Sequence, residues 1–272
     1  MPEPQPGEWL YEHKESGQTF DQYYTGGFHA ISSTQKTIYI QPLETEVTSE
    51  MLEVFKKFLT AYFPGALIKI RPYVNLEEEK GFEWRINEYS HKKQFHAGKI
   101  LAILTRKVPK DAYCMIACSM TDLYPRDAWN FVFGLASLKD RVGVFSFARY
   151  DERFFYDDAD LPPTDPAVII YRSCKVMAHE IGHMFGIKHC VHYGCLMNGS
   201  NHAEEASKKP MEYCPVCLRK LQSNLKFDLK ERYVGLLKCF EELSGPFKFQ
   251  IGFYENAISL EPETRKKVGT SK

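Results

Sequence analysis

His179 and His183 stand four residues apart, with Glu180 directly after the first, in the run "KVMAHEIGHMFGIKHCVHYGCLM" from Lys175 to Met197. On a helix, residues i and i+4 share one face a turn apart, so both imidazoles can grip one metal ion. Glu180 lies about 100° round the axis from His179. It can serve a water activated by that ion without being a ligand. Zinc held this way lowers the pKa of water to about 7, and a carboxylate beside it can take the proton and later deliver it to a leaving amine. The chemistry these residue types suit is hydrolysis of an amide carbonyl.

A third ligand is needed, and His189 is the candidate. Were the helix to continue, His189 would lie about 9 Å beyond His183 along the axis, at about 1.5 Å per residue. It could not reach an ion held at about 2.0–2.1 Å. The helix must stop between them. Gly186 is placed to stop it, because glycine takes the left-handed conformation at a helix C-terminus with little strain. HExxHxxGxxH is therefore a far more specific signal than HExxH: the glycine makes geometric sense only with the last histidine. His192, His202, His91 and His96 fall outside the pattern and are expected at the surface.

The cysteines form a second constellation, Cys190-x4-Cys195-x18-Cys214-x2-Cys217. Two close pairs with a spacer are the mark of a tetrahedral four-thiolate zinc site, closed and therefore structural. Because Cys190 follows His189 directly, the two sites are expected to be neighbours, with the cysteine site helping to fix the third histidine. Met197, in "CLMNGS" before a tight-turn Asn198-Gly199 pair, is expected to form an apolar floor under the histidines. Cys114, Cys118, Cys174 and Cys239 lie in apolar or helical contexts and are expected in the core.

The elements that must position these residues are readable in outline. "KTIYIQPL" (36–43) and "ALIKIRPYV" (66–74) read as strands flanking an amphipathic helix over 48–63, which Pro64-Gly65 ends. Residues 75–98 are polar and charge-rich, an insertion with room for a short hairpin. A helix over 98–108 follows. "AYCMIACSM" (112–120) is a nearly continuous apolar run, as in a buried strand. Residues 130–138 and 142–150 read as a strand pair, 151–165 as an acidic surface loop, and 166–186 as the helix that carries the histidines. Two further helices are expected over 214–227 and 228–243. Residues 1–35 read as irregular and exposed, and the tail after 260 as disordered.

The chain has 272 residues, 44% hydrophobic, with 35 basic and 35 acidic side chains. That length can bury a sizeable core. The balanced charge, without a long basic stripe, gives no reason to expect nucleic acid or an anionic membrane as partner. No secretory signal and no apolar run of about 18 residues is visible, so cytoplasm or nucleus is the expected compartment. There thiols stay reduced, and clustered cysteines suggest metal rather than disulfides.

The motifs "HEIGHMFGIKHC", "CLM" and "CPVC" resemble the archaemetzincins, a branch of the metzincin metallopeptidases. The resemblance rests on His179, Glu180, His183, Gly186, His189, Cys190, Cys195, Met197, Cys214 and Cys217. "DLYPRDAWNFVFG" (122–134) and "FSFARY" (145–150) also resemble animal members, and the similarity spans about residues 36–240. It implies an α/β (α+β) metzincin-like zincin fold. The catalytic domain would be 36–243, with an upper lobe (36–186) of mixed sheet and two main helices. A smaller, mostly helical lower lobe (187–243) would follow, with a cleft between, flanked by segments 1–35 and 244–272. It further implies a Met-turn at Met197, one catalytic and one structural Zn2+, and peptide hydrolysis, with aminopeptidase and endopeptidase action both open. The partner would be a peptide or protein substrate of a monomeric enzyme. The substrate would lie extended against an antiparallel edge strand, for which Phe131–Ser137 is the candidate. Two other classes stay open: a zinc-stabilised binding scaffold with little catalysis, and an interaction module in which only the four-cysteine site matters.

Overall fold

The computed structural model describes residues 3–156 and 162–260. The chain begins with two short helices, α1 (Trp9–Glu12) and α2 (Phe20–Thr25). Strand β1 (Thr37–Pro42), helix α3 (Ser49–Tyr62) and strand β2 (Leu67–Ile70) follow. Next come β3 (Trp84–Ile86), β4 (Lys93–His96), α4 (Ala97–Thr105), β5 (Ala112–Ser119), β6 (Asp122–Tyr124), β7 (Gly134–Ser137) and β8 (Val142–Ser146). The rest is helical: α5 (Pro166–Met184), α6 (Ala203–Lys208), α7 (Pro215–Leu225), α8 (Leu229–Leu243) and α9 (Lys248–Leu260).

The main sheet runs β2-β1-β5-β8-β7. β5 is buried along all eight residues, as its unbroken apolar run requires when parallel neighbours β1 and β8 flank it and helices cover both faces. β7 is the one antiparallel member. It pairs with β8 from Gly134↔Phe145 to Ser137↔Val142 and forms the sheet edge. The strand expected over 130–138 is thus realised at 134–137.

α3 starts where Thr48 caps it, accepting a hydrogen bond from Met51 N, and buries Leu52, Phe55, Leu59 and Tyr62 on one face. α5 starts at Pro166 behind Asp165, whose carboxylate accepts from Ala167 N at 2.9 Å. Its inner face, including Met177, Ala178 and Ile181, packs into the core that holds Phe55, Phe145 and Phe147. All four cysteines outside the second motif are buried.

Residues 75–98 do contain a hairpin, β3–β4, which β6 extends in parallel to a three-stranded sheet. Its side chains reach far from the hairpin. Arg85 donates to the carbonyls of Trp129 (2.6 Å) and Asn130 (3.0 Å), and Gln94 donates to Asn130 O at 2.9 Å. The lead-in to the edge strand is therefore pinned from above. Arg149 grips Asp122 with two 2.8 Å bonds and stacks on Phe131, which fixes the same loop from behind.

Two expectations need correcting, on residues 1–35 and on His96. Residues 1–35 are not simply irregular: a capping box between Thr19 and Gln22 closes α2, and Tyr23 is buried with its hydroxyl donating to Phe185 O at 2.9 Å. The short aromatic-rich helices have too few turns for a 3.6-residue period to show. The segment after 243 continues as α9, which buries Tyr254. The tail expected to be disordered, 261–272, lies outside the described residues, as does 157–161 of the acidic loop. His96 is half-buried against Tyr124 rather than on the surface, because it closes β4 at the foot of α4. His91, His192 and His202 are exposed as expected.

Candidate metal centres

α5 ends at Met184, and Gly186 follows at φ +83°. Gly186 N donates to His183 O (2.8 Å) and Ile187 N to Gly182 O (3.1 Å), the paired bonds of a Schellman motif. This turn reverses the chain and returns His189 to the helix. One ring nitrogen from each of His179, His183 and His189 then lies within 4.8 Å of the others.

Each imidazole is oriented by an acceptor behind it. His179 Nδ1 lies 2.8 Å from Leu196 O, His183 Nδ1 lies 2.8 Å from Ile187 O, and His189 Nδ1 lies 2.9 Å from Glu15 Oε1. A carbonyl can only accept, so Nδ1 of the first two rings carries the proton and Nε2 presents its lone pair. The Nε2 atoms of His179 and His183 are 3.1 Å apart. Two nitrogens bound to one tetrahedral zinc at about 2.0–2.1 Å stand about 3.3 Å apart, so the donor set fits. Burial holds His179 well below the ordinary histidine range and His183 down to about 3, so both rings are neutral and ready to ligate.

Glu180 is buried on the adjacent face and lines the same cleft, a cavity of about 450 Å³. Burial pushes its carboxyl up to about 8, against the opposing pull of Lys209. The edge strand makes room for it. A Cβ at Gly134 would sit 2.5 Å from Glu180 Oε1, so only glycine lets the strand pass this close.

The four cysteines also converge. Cys190, Cys195, Cys214 and Cys217 bring their sulfurs within 4.8 Å of one another, all buried. Cys190 Sγ and Cys214 Sγ are 3.8 Å apart, close to the about 3.8 Å edge of a zinc tetrathiolate with bonds of about 2.3 Å. Contacts from the Cys195, Cys214 and Cys217 thiols hold Cys190 well below the ordinary thiol range. Cys214 also caps α7, where its side chain accepts from Cys217 N, with Pro215 at the first helical position.

Met197 joins the two clusters. It is fully buried beneath α5, and a Cβ at Gly182 would come 2.6 Å from its sulfur. Its carbonyl accepts from Cys190 N at 2.9 Å, while its neighbour Leu196 holds His179. Histidine and cysteine clusters thus share one backbone segment.

Two contributors were missed from sequence. One is the N-terminal segment. Besides Glu15 on His189, Trp9 meets the His189 ring edge-on at 5.2 Å and lies against Gly199, where a Cβ would be 2.3 Å from the indole. His13 stacks on Trp129 at 5.8 Å, so the segment touches the loop above the cleft as well. Gln18 fixes it to the Gly186 turn, donating to Gly186 O and accepting from Lys188 N, each at 3.2 Å. No spacing rule links residues 9–18 to a motif 170 positions on. The other is Lys209, in the cleft wall, donating to Asn198 O at 2.9 Å.

The profile of peptidase family M54 matches residues 43–223. Human Archaemetzincin-2 is 40% identical over 266 residues, 88% of this chain and 73% of its own. Human Archaemetzincin-1 is 31% identical over 269 residues, 89% of this chain and 54% of its own. Among solved structures, archaemetzincin from Methanopyrus kandleri superposes with a TM-score of 0.54 at 24% identity, covering 72% of this chain and 98% of its own. That from Archaeoglobus fulgidus, complexed with malonate, gives 0.50 at 29% identity, covering 68% and 99%.

Proposed function

Because the chain belongs to peptidase family M54, the archaemetzincins, whose members are zinc-dependent metallopeptidases, we propose that it hydrolyses peptide bonds in the cleft between α5 and β7. One observation carries the reading: three imidazoles with Nδ1 already committed converge beside a buried carboxylate that no metal ligand role requires. His179, His183 and His189 would hold the catalytic zinc, and Cys190, Cys195, Cys214 and Cys217 a structural one. The catalytic ion supplies Lewis acidity, polarising the scissile carbonyl and acidifying water.

The protein's own groups do the rest. Glu180 takes a proton from the attacking water and passes it to the leaving nitrogen. β7 offers an unpaired sheet edge to an extended peptide, and Val132 to Ala136 line the cleft beside Glu180. Met197 keeps water from the underside of the histidine cluster.

The deciding experiment is peptide-library profiling of the full chain beside its Glu180→Ala form, with zinc measured on both. Cleavage present in the first and absent in the second, at equal zinc content, is the expected result. Equal activity in both would overturn the role given to Glu180, and cleavage by neither would overturn the reading in favour of a binding scaffold.

A further inference from the structure

Next to the reactive centre lies a second pocket of about 220 Å³, which shares Val176, Ala206 and Lys209 with the cleft as lining residues. Its walls carry Arg149, Arg172, Lys175 and Lys209. Arg149 is neutralised by Asp122. The hydrogen bonds of the other three all go to carbonyls: Arg172 to Tyr150 O (3.0 Å), Lys175 to Ala206 O and Ser207 O (each 3.1 Å), and Lys209 to Asn198 O (2.9 Å), with Lys175 also lying over the Tyr171 ring at 5.8 Å. Among the described residues, none of the three forms an ion pair. The acids in the wall, among the described residues, do not answer them, since Glu204 pairs with Lys208 at 2.8 Å and Glu152 sits exposed at the rim. Glu212 acts on Lys175, and Glu180 and Glu205 act on Lys209, only at longer range.

Lys175 is buried and Arg172 and Lys209 are half-buried, so three cations that no ion pair neutralises lend this cavity a positive potential. Each also keeps hydrogen-bond donors to spare. Their placement follows from the helix. Val176 is one turn and Arg172 two turns from Glu180 along α5, about 6 Å and 12 Å. An extended peptide advances about 3.3 Å per residue. The second residue past the cleaved bond is then about level with Val176, where the long Arg172 and Lys209 side chains of the pocket wall can meet a group it carries. Phe155, Val176 and Ala206 supply an apolar lining for its stem.

We propose that this pocket is a substrate-carboxylate subsite, with Lys209 and Arg172 receiving either an acidic side chain on the second residue past the cleaved bond or the free C-terminal carboxylate of a short peptide. The inference rests on the peptidase reading for its substrate. Lys209 and Arg172 act as specificity residues, selecting which peptides are cut.

The test uses the zinc-loaded full chain and two sets of quenched fluorescent peptides. One set carries Glu, Gln or Lys as the second residue past the cleaved bond, with an amidated C-terminus. The other has neutral side chains, with a free or an amidated C-terminus two residues past the bond. A preferred carboxylate should raise kcat/KM at least tenfold over its amide partner, and the set that responds identifies the source. In Lys209→Gln the ratio should fall towards one, and in Arg172→Glu the Lys peptide should gain. Equal kcat/KM throughout the wild-type sets overturns the inference and leaves the peptidase reading intact. Should no peptide be cut, binding of the same peptides to the Glu180→Ala form decides, by fluorescence anisotropy. Tighter binding of the carboxylate member, weakened by added salt, supports the subsite, and equal binding overturns it.

Discussion

The carboxylate of Glu15 sits 2.9 Å from Nδ1 of His189, a pair separated by 174 residues of sequence. It gives the third histidine the acceptor that backbone carbonyls give the other two. Burial disfavours the charge on Glu15, but the hydrogen bond and charge of His189, with Trp9 and His183, together outweigh it and hold the carboxyl below its usual range. Glu15 lies outside the stretch that the family profile matches.

Glu15→Ala should therefore weaken zinc at the histidine site about 10- to 100-fold, as loss of an outer-shell partner does elsewhere. Competition with a chelator of known affinity measures this directly. Unchanged affinity would show that His189 needs no help from the N-terminal segment.

Gly134→Ala should silence catalysis without removing metal. The new methyl would have to occupy the space of the Glu180 carboxylate, 2.5 Å from Oε1. The expected result is a fall in kcat of at least about 10²-fold, the scale of losing general acid–base catalysis, at unchanged zinc content and with a urea midpoint lowered by the overpacking.

Gly186→Ala tests the backbone rather than the space. A Cβ there would make only ordinary contacts, 3.5 Å to Tyr23 and 3.7 Å to Phe28. The φ of +83° is what an alanine resists, at about 1–2 kcal/mol. Equilibrium denaturation should register that loss, and zinc affinity should drop because the strain is relieved by moving His189.

Cys214→Ser should reduce bound zinc from two ions to one and cost at least about 3 kcal/mol of stability, since the four thiolates bind metal only when the chain is folded around them. It should also loosen the histidine site, because Cys190 N holds Met197 O and the neighbouring Leu196 O holds His179. Full retention of histidine-site affinity would separate the two clusters functionally.

Lys175 gives a pH signature. Burial pushes it down from 10.5 to about 8. Between pH 8 and 10.5 the unfolded chain holds this proton and the folded chain has released it. The unfolded state then binds more protons, so stability rises with pH across that window. The full effect is on the order of 3 kcal/mol. Urea midpoints measured from pH 7 to 10 should climb in the wild type, relative to Lys175→Met, in which this contribution is absent.

Much of the site was legible in the sequence because its logic is local. The four-residue spacing of His179 and His183, and the glycine that must precede His189, follow from helix geometry alone, and the Schellman turn at Gly186 is the form that requirement takes. The two cysteine pairs announce their site by number and spacing. The unbroken apolar run of β5 likewise declares a central strand.

What only the tertiary structure decided are contacts between segments with no shared period. Glu15 and Trp9 reach the histidine site because α2 docks Tyr23 on Phe185 and Gln18 on the Gly186 turn, and short helices of that kind leave no periodic trace. Gly134 falls inside the edge strand read from sequence; only packing shows it as the hollow that admits Glu180. Lys209, one lysine among many in a polar stretch, gains meaning when folding sets it across a cavity from Arg172. Local spacing determines which atoms can bind a metal. Which residues orient those atoms, and which substrate groups they meet, depends on where distant segments pack.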